Sequence, residues 1–157
     1  LFRHINIPDE NLHPIHYIEG NHQVALAQFL NEMGQRLPVK SNHPKFDWIL
    51  LGIGEDGHTA SLFPHDFNIQ APDHALLVLK PNTDEYRISL SAQTILVAER
   101  VSYLVSGASK AQIVYDILTN QTSAQAYPAA LISSTNKQID YLLDSKAGAL
   151  LPIEEGH

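Results

Sequence analysis

Apolar positions along this chain recur with two periods, and the alternation between them predicts its elements. Leu26, Phe29, Leu30, Met33 and Leu37 fall at helical spacing on one face, with Asn21 placed as the N-cap. Phe46–Leu51 is a short apolar run ending in glycines, as expected of a buried parallel strand, and Trp48 within it reads as core. Leu12–Ile18, Leu76–Leu79, Arg87–Leu90 and Ser102–Val105 are further strand candidates. After the last of these, Ser109 and Gln112 have capping-box spacing and predict a helix over about Lys110–Leu118. A final strand, Gln138–Leu143, alternates Ile139, Tyr141 and Leu143, and Asp144 is placed to cap a closing helix through Leu150. Leu37–Pro44 and Pro64–Asp73 carry the Pro and Asn residues of loops. Strands alternating with helices argue for an α/β fold with a mainly parallel sheet, in one domain over residues 1–157. Leu1 is not Met, and Leu1–Ile5 reads like the tail of a helix ending before Pro8, so upstream structure is expected.

Composition narrows the chemistry. The 157 residues are 44% hydrophobic and 17% charged, enough to bury a real core. No stretch approaches the roughly 18 consecutive apolar residues of a membrane helix. No secretory signal is visible either, which leaves the cytoplasm as the default location. The absence of Cys excludes disulfides, thiolate catalysis and Cys-ligated metals. A net charge of −7 without a basic run is a poor match for nucleic acid, whereas a small anionic substrate needs only a few placed cations. His13 and His16 point to opposite faces of a strand candidate. His58 and His65 are separated by Pro64 with no acidic cluster beside them, so no metal site is expected. His43 and His74 fall in loops, and Tyr103 and Tyr115 read as packing residues.

Gly52-Ile53-Gly54-Glu55-Asp56-Gly57 satisfies G-x-G-x-x-G after a predicted strand, which first suggests a dinucleotide turn. Glu55 and Asp56 oppose that reading, because they place carboxylates where a pyrophosphate would approach. Pro64, seven residues beyond Gly57, leaves no room for the long helix such a turn requires. Nor does a second strand supply a ribose-binding acid about 20 residues on. There remains a histidine at the carboxyl end of a parallel strand, the edge where open α/β sheets bind ligands. The glycines allow a sharp turn and close approach to a ligand. His58 is expected near the first turn of a short helix, with Thr59 and Ser61 as polar neighbours, and an imidazole suits general-base chemistry near neutral pH.

The run Trp48-Ile49-Leu50-Leu51-Gly52-Ile53-Gly54-Glu55-Asp56-Gly57-His58-Thr59-Ala60-Ser61-Leu62-Phe63-Pro64 resembles the signature of 6-phosphogluconolactonases. Arg87-Ile88-Ser89-Leu90-Ser91 is similar to that family's Arg-containing strand, and Gly107-Ala108-Ser109-Lys110-Ala111 to its Gly-x-x-Lys-Ala turn. Tyr127-Pro128-Ala129-Ala130 and Tyr141-Leu142-Leu143-Asp144 fit later landmarks, although Tyr141 stands where many members have Trp. The resemblance implies a three-layer α/β/α sandwich with a mainly parallel sheet, shared with sugar-phosphate isomerases and deaminases. It also implies hydrolysis of 6-phosphoglucono-1,5-lactone to 6-phosphogluconate, in the oxidative pentose phosphate pathway, without metal or cofactor. Members carry an N-terminal Gly-rich phosphate loop and an Asp-Glu-Arg segment. Neither occurs here, so the chain is expected to be the C-terminal larger part of such a domain.

By this resemblance His58 activates water for attack on the lactone carbonyl and returns the proton to the ring oxygen. Asp56 either orients the imidazole or simply forms the turn. Backbone N–H groups around Gly54–Gly57 are candidate donors to the developing oxyanion, with Gly54 and Gly57 as candidate substrate-binding residues. Arg87 and Lys110 are the candidate phosphate clamp, the first offering a planar fork and the second a point charge at a helix start. For either cation the alternative is plain solvent exposure. Two other functions compete. A glucosamine-6-phosphate deaminase or isomerase shares the Gly-x-Gly-x-Asp-Gly-His loop, but Thr59–Pro64 departs from its Ile-Ala-Phe-Asn-Glu-Pro continuation. A non-catalytic sugar-phosphate-binding fragment is the third reading, and oligomeric state stays open.

Overall fold

In chain order the strands are β1 (Val39–Lys40), β2 (His43–Pro44), β3 (Trp48–Leu51), β4 (Ala75–Leu79), β5 (Tyr86–Leu90), β6 (Arg100–Val105) and β7 (Ile139–Leu143). The helices are α1 (His22–Arg36), α2 (Ala92–Leu96), α3 (Ala111–Leu118) and α4 (Pro128–Thr135). These come from a computed structural model that describes residues 4–16, 20–135 and 139–152.

The central sheet is parallel, in the order β3-β6-β7, with Leu51 opposite Tyr103 and Tyr103 opposite Tyr141. Strand alternation sends Ile49, Val101, Tyr103 and Val105 to one face, where α2, α3 and α4 pack Ile95, Ile113, Val114, Ile117, Ala129 and Ile132 against them. Fully burying one such aliphatic side chain contributes about 1.5–3 kcal/mol, so this face carries the core. The parallel sheet and this helical layer are two layers of the expected α/β/α sandwich.

The opposite face corrects the reading of β3 as a strand buried on both sides. Trp48, Leu50, Leu104 and Leu142 lie there, 51%, 54%, 62% and 47% exposed. No helix among the described residues covers them, so the period-two pattern of the strand leaves half its apolar residues in the open. Among the described residues Trp48 is thus half-exposed, where the sequence pattern places it in the core. Its indole N–H donates to Ser102 Oγ at 2.9 Å, and the Arg100 guanidinium sits 5.2 Å from its ring centre.

The remaining strands form two antiparallel hairpins outside the parallel sheet. β4 pairs with β5 from Ala75–Leu90 to Leu79–Tyr86, close to the ranges expected for both strands. β1 and β2 form a two-rung hairpin inside the expected loop Leu37–Pro44, with Ser41 and Asn42 at positive φ in its turn. α1 matches its pattern closely: Asn21 Oδ1 accepts from the Val24 N–H at 3.4 Å, and Ala25 and Met33 are buried.

Several expectations need correction. Residues 12–16 form no strand, while residues 17 and 18 of that candidate lie outside the described residues, as do residues 1–3 of the expected helix tail. Ser109 does not cap α3. A 3-10 turn, Ala108–Lys110, precedes that helix, and Gln112 instead donates to Asp116 Oδ1 at 2.7 Å. Asp144 does act as a cap, accepting from the Ala147 N–H at 2.7 Å, but residues 145–150 form turns and not a helix. His43 is a buried strand residue, not a loop residue. Its ring lies 3.2 Å from His74 Nδ1 and 3.3 Å from Thr94 Oγ1. No helix among the described residues is long and apolar enough to cross a membrane.

Candidate active site

β3 and β6 are neighbouring parallel strands, so the segments leaving their carboxyl ends emerge side by side. The first is the Gly52–His58 turn and the second is Ser106–Lys110. Together they line a cavity of about 390 Å³, with Gly54, His58, Ala60 and Lys110 among its walls.

The turn closes on itself. Gly54 N–H donates to the His58 carbonyl at 2.8 Å, and Gly57 N–H donates to the Gly54 carbonyl at 3.1 Å. Asp56 Oδ1 accepts twice from His58, from its backbone N–H at 3.2 Å and from its ring Nδ1 at 2.5 Å. An ionised carboxylate can only accept, so Nδ1 carries a proton in this hydrogen bond, and in the neutral tautomer Nε2 is the nitrogen with the free lone pair. Burial alone would raise the Asp56 carboxyl. The His58 ring and backbone hydrogen bonds, with the His58 charge, outweigh it and hold the group below its ordinary value.

Gly54 is the residue that permits this pairing. A Cβ there would stand 2.1 Å from His58 Nδ1 and 2.5 Å from Asp56 Oδ1, so any other residue would displace the imidazole. Gly57 has φ +81°, and a Cβ there would lie 2.4 Å from Tyr127 Cγ. The N–H groups of both glycines are taken up inside the turn, and each glycine leaves space that a neighbouring side chain fills.

No short helix follows His58. Thr59 and Leu62 form an isolated bridge across Ala60, which sits at φ +50°. Thr59 is fully buried and its hydroxyl donates to the Gly52 carbonyl at 2.9 Å, tying the exit of the turn to its entry. Ser89 Oγ on β5 accepts from the Ser61 N–H at 3.0 Å. Phe63 packs 4.8 Å from the His58 ring centre.

The two candidate cations are placed differently. Lys110 shares the His58 cavity at the start of α3 and forms no ion pair among the described residues. Arg87 lines a separate cavity of about 290 Å³ with His16, His22, Ser61 and Tyr86, and its Nε donates to Glu85 Oε1 at 3.0 Å. Adjacent residues divide the two spaces: Ala60 lines the first and Ser61 the second. Among the described residues no three His, Asp or Glu side chains converge as metal ligands. Sequence reasoning missed Ser89 and Tyr127 as supports of the turn. Tyr127 carried one local signal, its position just before a proline at a helix start.

Residues 1–141 match the family described as glucosamine-6-phosphate isomerases/6-phosphogluconolactonase. A 6-phosphogluconolactonase of Haemophilus influenzae is 42% identical over 151 residues, which are 96% of this chain and 63% of that protein. Among solved structures, one described as devB protein superposes with a TM-score of 0.86 at 41% identity, covering 97% of this chain and 63% of the other. The 6-phosphogluconolactonase of Trypanosoma brucei gives a TM-score of 0.77 at 28% identity, with coverage of 93% and 63%. The chain thus spans about three fifths of the length of these relatives.

Proposed function

Because this chain belongs to the glucosamine-6-phosphate isomerase/6-phosphogluconolactonase family, we propose that it hydrolyses 6-phosphoglucono-1,5-lactone to 6-phosphogluconate. The observation that carries the reading is the Asp56–His58 pair at 2.5 Å, with His58 in one cavity with Lys110. Similarity to relatives described as 6-phosphogluconolactonases supports the lactone over other sugar phosphates.

In this account His58 Nε2 takes a proton from water as the water oxygen attacks C1. Asp56 holds the imidazole through Nδ1 and stabilises the imidazolium that forms, in the manner of the third member of a hydrolase triad. The tetrahedral intermediate collapses with cleavage of the bond between C1 and the ring oxygen. His58 returns the proton to that oxygen, and the new carboxylic acid ionises to 6-phosphogluconate. A positioned base of this kind contributes about 10²–10⁴-fold in rate, which suits an ester as activated as a lactone. Lys110, without a carboxylate partner among the described residues, is the primary contact for the substrate phosphate. Arg87 joins it only by leaving Glu85.

The experiment supplies freshly generated 6-phosphoglucono-1,5-lactone and, separately, glucosamine 6-phosphate. The expected result is lactone opening above the spontaneous rate and no release of ammonia from the amino sugar. Ammonia release would overturn the substrate assignment in favour of a deaminase. Binding of 6-phosphogluconate without turnover of either compound would favour a binding fragment.

A further inference from the structure

The catalytic turn is gripped at Gly57 from outside, and both halves of that grip come from the entry to α4. The side chain of Tyr127 occupies the space over the Gly57 Cα. A Cβ on Gly57 would meet its Cγ, Cβ and Cδ1 at 2.4, 2.6 and 2.6 Å. Two residues on, the Ala129 N–H, a first-turn donor with no partner inside its helix, bonds the Gly57 carbonyl at 3.1 Å. Tyr127 itself is held. Its backbone is extended before buried Pro128, and its hydroxyl reaches Asp116 Oδ2 at 3.5 Å. Asp116 is 8% exposed on α3 and is fixed by Gln112 Nε2 at 2.7 Å and Ser123 Oγ at 3.0 Å. A carboxylate satisfied by several donors at a buried site is a rigid anchor.

We propose that Tyr127 is a positioning residue for His58: its ring, wedged over Gly57 and tethered to Asp116, sets the turn that delivers the Asp56 carboxylate to His58 Nδ1. The link runs from the apolar cluster of Ile113, Val114 and Ile117, against which Tyr127 packs, through the ring to Gly57, which adjoins both members of the pair. Asp56 itself is 53% exposed. Misplacing a catalytic group by about 1 Å can cost about 10²-fold in rate. The ring is the acting part and the hydroxyl, at the long end of hydrogen-bonding range, is secondary.

The kinetic half of the test rests on the lactonase reading; the spectroscopic half does not. In the full chain, the His58 Nδ1–H proton is observed by nitrogen-edited NMR for wild type, Tyr127→Phe, Tyr127→Leu and Tyr127→Ala, with circular dichroism as the control for folding. Wild type and Tyr127→Phe are expected to keep a protected Nδ1–H resonance, and Tyr127→Leu and Tyr127→Ala to lose it. With lactone as substrate, kcat falls about tenfold or more in Tyr127→Leu and Tyr127→Ala, KM changes little, and Tyr127→Phe stays within about threefold of wild type. A folded Tyr127→Leu or Tyr127→Ala that keeps both the resonance and kcat would overturn the proposal. So would a folded Tyr127→Phe that loses the resonance as completely as Tyr127→Ala. If Tyr127→Ala does not fold, Tyr127→Leu decides, because it retains apolar volume at this half-buried site. If wild type shows no lactone turnover, the functional reading fails and the resonance alone decides this one.

Discussion

The two cavities on either side of Ala60 and Ser61 are built by opposite means. On the His58 side the chemistry is held by backbone: two hydrogen bonds close the turn, Thr59 ties its ends and Gly54 makes room for the imidazole. On the Arg87 side the charged groups sit on an antiparallel hairpin and are held by one another, with Glu85 accepting from Arg87 and also facing Lys80 at 3.5 Å. Backbone-held groups are preorganised and need no rearrangement when substrate arrives. Exposed ion pairs are weakly held and exchange partners readily. Under the proposed function, the acid–base pair is thus the preorganised part, and Arg87 is a cation that substrate would have to recruit.

The strongest way to break this contrast is to disturb the rigid side at its tightest point. Gly54→Ala inserts a methyl against His58 Nδ1 and is expected to lower kcat about as far as losing the base, by about 10²–10⁴-fold, with the fold intact by circular dichroism. Unchanged kcat in a folded Gly54→Ala would mean that the imidazole does not work from its observed position.

Next in size is the difference between the cations. Lys110→Ala is expected to raise KM by about 10–10²-fold, the worth of a charge-assisted hydrogen bond to phosphate. Arg87→Ala changes KM by about threefold or less, because Arg87 exchanges one carboxylate partner for another anion. Steady-state KM values in the two variants decide this, and the reverse order would relocate the phosphate to the Arg87 cavity.

The smallest expected effect is on stability, and pH separates the two sides. Burial, and then the neighbouring His74, hold the His43 imidazole below its ordinary value of 6.5, so the folded chain keeps it neutral where the unfolded chain takes up a proton. Its stabilising contribution is complete above 6.5 and is lost as the pH falls through the depressed value. Asp56, held below its ordinary 3.8, keeps its contribution until the solution is more acid than that. Thermal melts at about pH 7 and about pH 5.5 should therefore show Tm falling by about 2–4 °C for each kcal/mol lost, through His43 and not through Asp56. His43→Asn should flatten that dependence; an unchanged slope would assign it to other groups.

Much of this arrangement is legible in the residues, and the exceptions have physical causes. α1 was readable because its stripe and its Asn21 cap are local, and the glycine turn because Gly54, Asp56, Gly57 and His58 lie within five positions of one another. The start of α3 misleads because Gly107, at φ +97°, gives its N–H to Asp144, 37 positions away. Trp48 misleads because an apolar strand reads alike whether one face or two are covered, and here the described residues cover one. α2 and α4 are too short to show a stripe, and the buried Asp116 and His43 acquire partners only in three dimensions. The two cations looked equivalent in sequence, each a basic residue in a family-like motif. Only the placement of Glu85 and the division at Ala60–Ser61 tells them apart.

The central claim is that His58, oriented by Asp56, is the base that opens the lactone. The direct measurement is the rate of 6-phosphoglucono-1,5-lactone hydrolysis by this chain and by His58→Ala, each against the spontaneous reaction. The account predicts acceleration by the chain and a loss of about 10²–10⁴-fold in kcat in the variant, with KM nearly unchanged. Near-normal turnover by His58→Ala would contradict it.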